Sequence, residues 1–231
     1  MTTPSHRKLI AETVGTMVLV MAVIGSGIAA QRLSPSDVGL QLLENAVATG
    51  AALTALILAL QPVSAAFNPI ITMIEAVQGT LHRRHAAAAV AAQVGGGIVG
   101  AVLANLMFGE PAVSIAHTSR EGFGIWLAEV VATAGLVIVI MGTIRSRRTG
   151  STAFAVGAYI VAAYWFTSST SFANPAVTIA RTLSDSFAGI SPSSVPWFVL
   201  AQAVGGAIGY LLSRTLYASP RLHKQGDLIN V

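Results

Sequence analysis

Apolar residues run through this chain in long unbroken stretches, not in the alternation of a half-buried strand or the one-sided stripe of a surface helix. Six stretches, near 9–30, 39–60, 84–107, 124–144, 151–167 and 195–216, are long enough to cross a hydrocarbon core as helices, with the fifth the shortest. Two more apolar stretches, 62–80 and 168–190, are each broken by an Asn-Pro pair. Asn68-Pro69-Ile70 is followed by Ile71-Thr72-Met73-Ile74, and Asn174-Pro175-Ala176 by Val177-Thr178-Ile179-Ala180. Asn is a good helix N-cap, and Pro suits the first helical position, where no backbone N–H is needed. The pairs therefore predict abrupt helix starts, with half-helices over 68–78 and 174–184. A helix of roughly ten residues is about 15 Å long, half of a core of about 30 Å.

The same landmarks recur in the same order. Ala11-Glu12 corresponds to Ala128-Glu129, Asn68 to Asn174, and Gln93 to Gln202; Gly96, Gly97 and Gly100 then fall on Gly205, Gly206 and Gly209. Three spans per half is an odd number, so the halves must run in opposite directions through the membrane. The expected fold is an all-α membrane protein of six transmembrane helices and two re-entrant half-helices, an inverted 3+3 repeat. Its parts are an N-terminal segment 1–8, a first repeat 9–110, a connecting loop 111–122, a second repeat 123–217 and a tail 218–231.

Composition agrees. Of 231 residues 54% are hydrophobic and only 10% charged, with a mean hydropathy of +0.71; soluble domains carry about 25% charged residues. A pI near 10.0 could indicate nucleic acid, but the basic residues cluster at the ends of the apolar spans, which is a membrane pattern, and no nucleic acid is expected. With both termini cytoplasmic, all 13 Lys and Arg except Arg32, Arg120 and Arg181 fall on the inner side. The asymmetry predicts a multi-pass cell (inner) membrane protein in that orientation. There is no cysteine, which excludes disulfides, thiolate metal sites and cysteine nucleophiles. Ser, His and Asp residues converge in no span, so neither an enzyme nor a bound cofactor or metal is expected.

Two Asn-Pro-Ala-type motifs in register, an Ala-Glu start to each half and the paired Gln-x-x-Gly-Gly runs resemble the aquaporin (major intrinsic protein) family over nearly the whole chain, roughly residues 8–217. The resemblance implies one pore per subunit, four subunits per assembly, and half-helices meeting at the midplane. The chain departs from the family pattern in three places. The first motif ends in Ile70 where Ala is usual, the segment Val63–Asn68 is one residue shorter than its usual counterpart, and Val177 stands where the family commonly has Arg directly after the second motif. Short, basic-tailed chains of this kind resemble the aquaglyceroporins found in bacterial arsenic-resistance operons.

The resemblance carries a site onto particular residues. Asn68, Pro69, Ile70, Asn174, Pro175 and Ala176 would form the pore midplane, each asparagine capping its helix through its oxygen and offering its NH₂ to solute, beside carbonyls of 63–67 and 170–173. Spacing from the second asparagine places the family's constriction on Ala162, Ser171 and Val177; its fourth member is Thr49 if the shortening is accepted, Ala48 if not. All are small and uncharged, which implies passage of glycerol-like polyols, metalloid hydroxides such as arsenous acid, and water. Arg181, one helical turn beyond Val177, either reaches the pore mouth or is a solvated loop residue paired with Asp185; its counterpart in the first repeat is Glu75.

Glu12 and Glu129 are intramembrane carboxylates, which by default indicate function. The resemblance makes them structural braces, with Gln93 and Gln202, for the loops that carry the half-helices. The competing reading, a proton-coupled small-solute transporter, would use the same carboxylates as a relay, but no buried Lys or Arg completes one. A water-selective channel and a scaffolding protein with a residual pore are further alternatives. His82, Arg83, Arg84 and His85 read as a juxtamembrane basic cluster, and Tyr164, Trp165, Phe166 and Trp197 as an interfacial aromatic belt.

Overall fold

The computed structural model describes residues 6–146 and 148–217. The proposed tail 218–231, most of the N-terminal segment 1–8, and the basic residues Arg147, Arg221 and Lys224 lie outside the described residues. Among the described residues eight α-helices follow in order: α1 (His6–Leu33), α2 (Val38–Leu60), α3 (Pro69–Val77), α4 (Arg83–Met107), α5 (Phe123–Arg145), α6 (Thr152–Phe166), α7 (Pro175–Ala180) and α8 (Val195–Leu216). No strand is present among the described residues. α1, α2, α4, α5 and α8 are long and apolar enough to cross a membrane; α6, apolar throughout, has only 15 residues. α3 and α7 are the two half-helices, and the expected six spans all correspond to helices.

The halves pack alike. α1 lies along α4, α5 along α8, and α2 crosses α6 between the two. Glycine permits the first two approaches. A Cβ on Gly96 or Gly100 would overlap the carbonyls of Thr13 and Met17 on α1, and one on Gly205 or Gly209 would overlap those of Val130 and Ala134 on α5. Backbone-to-backbone contact of this kind holds helices together in lipid, where burial of apolar surface gives no advantage. At the α2–α6 crossing Gly50 and Gly157 face each other in the same way.

Ile70, the departure in the first motif, is accommodated inside this seam. Half-buried, it packs against the cluster of Ile71, Ile74, Val137 and Met141, and its Cγ2 occupies the space that a side chain on Gly206 would need. Its neighbour Ile71 lines the central cavity, whereas Ile70 turns toward Gly206. Ile70→Ala is expected to lower stability by about 1–3 kcal/mol, less than at a fully buried site because Ile70 is half-buried, with solute flux per folded channel unchanged. Thermal unfolding in detergent alongside vesicle flux checks both parts.

Both half-helices begin where expected. The second ends early as an α-helix: after Ala180 the chain tightens into a 3₁₀ turn, Arg181–Leu183. There the carbonyls of Thr182 and Leu183 accept hydrogen bonds from Ala116 (2.9 Å) and Ser114 (3.0 Å) in the loop 111–122. That outside pairing competes with continuation of the helix.

Candidate functional site: a lumen closed by two half-helices

The asparagines cap their helices as their sequence position predicts. Asn68 Oδ1 accepts from the N–H of Ile70 (3.0 Å), and Asn174 Oδ1 from those of Ala176 (3.0 Å) and Val177 (3.3 Å). Their NH₂ groups do more than the sequence suggests. Asn68 Nδ2 donates to Ala173 O (2.8 Å), and Asn174 Nδ2 donates to Phe67 O (2.7 Å). Each asparagine thus ties its half-helix to the loop of the opposite half, and spends on that tie one of the two N–H groups expected to serve solute. Each NH₂ carries two donors, so this tie uses one N–H of each asparagine, and both residues line the cavity.

The accepting carbonyls are aimed by unusual backbone. Phe67 (φ 47°) and Ala173 (φ 48°), each directly before its asparagine, adopt the left-handed conformation, as do Thr170 and Ser171. Such non-glycine residues cost about 1–3 kcal/mol each and persist only where their surroundings impose them. At Phe67 and Ala173 the buried carboxylates hold the chain in place. Glu12 accepts from Ser64 Oγ (2.6 Å), Ala66 N (3.0 Å), Phe67 N (2.8 Å) and Gln93 Nε2 (2.6 Å). Glu129 accepts from Phe172 N (2.9 Å), Ala173 N (3.0 Å) and Gln202 Nε2 (2.7 Å). Gln93 and Gln202 also reach the Thr72 and Thr178 hydroxyls of the half-helices, both at 2.9 Å. Neither glutamate lines the cavity.

That cavity, of about 540 Å³, runs between the half-helices and the inward faces of α1, α2, α5 and α6. Lys8, Gln61, Glu75 and Gln78 stand at one end, and Phe172, Val177 and Arg181 at the other. Thr49, Ser171 and Val177 are buried on its wall, and Ser171 Oγ has no hydrogen-bond partner among the described residues. Thr49, not Ala48, faces the lumen.

Ala162 is a correction. It is exposed and does not line the cavity; Val156, Ile160 and Tyr164 do. Residues four apart share a helix face, whereas Ala162 lies about 200° around the helix from both Ile160 and Tyr164. Tyr164 is a second correction. It leaves the aromatic belt for the lumen, buried, with its hydroxyl donating to Thr49 Oγ1 (3.3 Å), while Trp165, Phe166 and Trp197 stay exposed. Its place on the Val156–Ile160 face was legible from helical spacing; spacing counted back from the asparagine alone missed it.

Arg181 is 2% exposed, on the cavity wall, which corrects the expectation that no Lys or Arg is buried. Its Nε donates to Ala188 O, and its guanidinium carbon stacks 3.4 Å from the centroid of Phe172. It does not pair with Asp185, which takes both the N–H of His117 (3.0 Å) and its ring Nδ1 (2.9 Å). Arg120, in the connecting loop, donates to Gly189 O (3.0 Å) and Phe187 O (3.3 Å) and lies 5.0 Å from the centroid of the same Phe172 ring. The loop 111–122 is thereby bound across the segment carrying Arg181, a function no motif in it announced.

The hydrogen bonds from His117 hold the Asp185 carboxyl below the ordinary carboxylate range. A depressed value means that this latch stabilises at neutral pH and weakens as pH falls through that lowered value. Hydrogen exchange of residues 111–122 is expected to quicken on acidification below about pH 4, and Asp185→Asn to remove that dependence. Exchange measured by mass spectrometry across pH 3–7 checks it.

Half-helices that meet through reciprocal asparagines, strapped by buried carboxylates around a polar-ended lumen, define a membrane channel with a site at its centre. The comparisons agree with that class. Residues 1–171 match the family model described as major intrinsic protein. The chain is 46% identical over 216 residues to the aquaglyceroporin AqpS of Rhizobium meliloti (strain 1021), covering 93% of this chain and 92% of that one. The X-ray structure of the aquaglyceroporin from Plasmodium falciparum superposes with a TM-score of 0.68 at 18% identity, over 92% of this chain and 95% of the other, a likeness of fold. The chain belongs to the major intrinsic protein family.

Proposed function

We propose that this channel passes small uncharged solutes passively: glycerol-like polyols, metalloid hydroxides such as arsenous acid, and water. The observation that carries the proposal is the lumen beside the second motif, where Val177, Thr49 and Ser171 stand with no charge at the position the family commonly gives to Arg. Small uncharged groups leave a wider and more apolar passage, and pore diameter and lining donors set selectivity in such channels. The 46% identity to a protein named as an aquaglyceroporin supports the same substrate class. We further read the protein as a homotetramer in the inner membrane, with both termini cytoplasmic, so that Lys8 and Glu75 stand at the inner mouth and Arg181 at the outer.

A water-selective channel is the second reading, favoured by one observation: Tyr164 and Arg181 both reach the lumen and narrow what Val177 opens. A proton-coupled transporter is disfavoured, because the donors on Glu12 and Glu129 hold both carboxylates away from the lumen. Stopped-flow light scattering on proteoliposomes separates the readings. Fast reswelling in imposed glycerol and arsenite gradients at neutral pH, against empty liposomes, supports the first. Fast water shrinkage without reswelling supports the second.

A further inference from the structure

We propose that Glu75 and Arg181 form a pair of opposite fixed charges in one lumen, barring anions and cations respectively while neutral solutes pass; the inference rests on the channel reading above. The two occupy corresponding places after Asn68 and Asn174 and line the same cavity toward its opposite ends. Neither has a countercharge within ion-pair distance among the described residues, where the ion pairs are Arg32–Glu110 and His117–Asp185. Arg181 is fixed by the Ala188 carbonyl and the Phe172 ring, contacts that orient a guanidinium without neutralising it.

Glu75 answers a need that the rest of the lumen creates. The N-terminal ends of α3 and α7 both face the midplane, and helix N-termini carry positive partial charge. With Arg181 added, everything charged from the centre to the Arg181 end repels cations and attracts anions. A channel with these features alone would draw anions in. Among the described residues lining the cavity, Glu75 is the carboxylate, half-buried near the end of α3. Lys8 lines the same mouth but is exposed, where solvent screens it more strongly than it screens Glu75. An anion must pass the carboxylate, and a cation must pass the guanidinium. A glycerol molecule is opposed by neither, and both side chains can hydrogen-bond to it.

The test is ion leak through proteoliposomes, read by a voltage-sensitive dye under separate chloride and potassium gradients. Glu75→Gln keeps the shape and removes the charge. Its chloride leak is expected to rise about tenfold or more, the scale on which one unit charge acts across a few ångströms of partly dry pore. Glu75→Asp should remain tight. Arg181→Met is expected to raise the potassium leak by a smaller factor, because the half-helix ends still oppose cations, and Arg181→Lys should restore tightness. Loss of a merely structural contact would not choose the sign of the leaking ion. Glu75→Gln protein that folds, shrinks vesicles at the wild-type water rate and leaks chloride no faster than wild type overturns the inference. The ion readout needs no glycerol passage, so a wild type that passes only water would defeat the solute reading and leave the charge assignment to be judged by the leak.

Discussion

Glu129→Ala is expected to abolish the folded, conducting channel. The substitution leaves the N–H groups of Phe172 and Ala173 and the Gln202 amide without their acceptor in a buried site. Each buried donor left unsatisfied costs about 1–3 kcal/mol, against a net stability of about 5–15 kcal/mol for a typical domain. The same substitution releases the left-handed backbone at Ala173, whose carbonyl holds Asn68. The loss therefore spreads from one loop to the midplane of both halves. Glu129→Gln separates brace from relay. It keeps an oxygen but turns an NH₂ toward groups that are themselves donors, so it is expected to unfold at least about 10 °C lower and to lose glycerol and water flux together, whatever pH gradient is imposed. A variant that kept its melting temperature and lost only gradient-driven uptake would make Glu129 a proton carrier and the bracing account wrong. Glu12, with four donors, should behave alike.

Val177→Arg is expected to close the pore to glycerol while sparing the fold. Val177 is buried on the lumen wall one helical turn from Arg181. A guanidinium there fills the passage and sets a second positive charge beside one that, among the described residues, has no carboxylate within ion-pair distance. A loss of at least about 2 kcal/mol of passage free energy, roughly thirtyfold in rate, is a modest demand for such a change. Glycerol reswelling in vesicles, compared with water shrinkage of the same preparation, measures it, and water is expected to suffer less because it is smaller. Unchanged glycerol flux in well-folded Val177→Arg protein would move the narrowest point of the pore elsewhere, Tyr164 and Thr49 being the next candidates.

Much of this site is readable in the sequence. Asn-Pro pairs start helices because capping and a missing N–H are local matters, so Asn68 and Asn174 lay where the sequence put them. Glu12, Glu129, Gln93 and Gln202 were legible because a polar group in an apolar span must have a partner. Ala162 was misplaced because a constriction position was counted along the chain, whereas the face a residue presents depends on where α6 stops and how it is rotated. Arg181 stayed undecided for a related reason. Its local sequence allowed either Asp185 or the lumen, and only the pairing of Asp185 with His117, far away in the chain, decides between them.

The sequence by itself determined the membrane class, the spans, the inverted repeat, the two half-helix starts and the polar residues needing burial. Each follows from hydrophobic length, from the geometry of helix termini or from the cost of an unpaired polar group, and none of these depends on distant partners. Tertiary structure alone decided that the asparagine amides cross-link the two halves, that Ile70 fits the space left by Gly206, that Tyr164 replaces Ala162 on the lumen, and that Arg181 lies stacked on Phe172 without a carboxylate. Those facts depend on the rotation and approach of helices distant in the chain, fixed by close-packed contacts that the order of residues does not display.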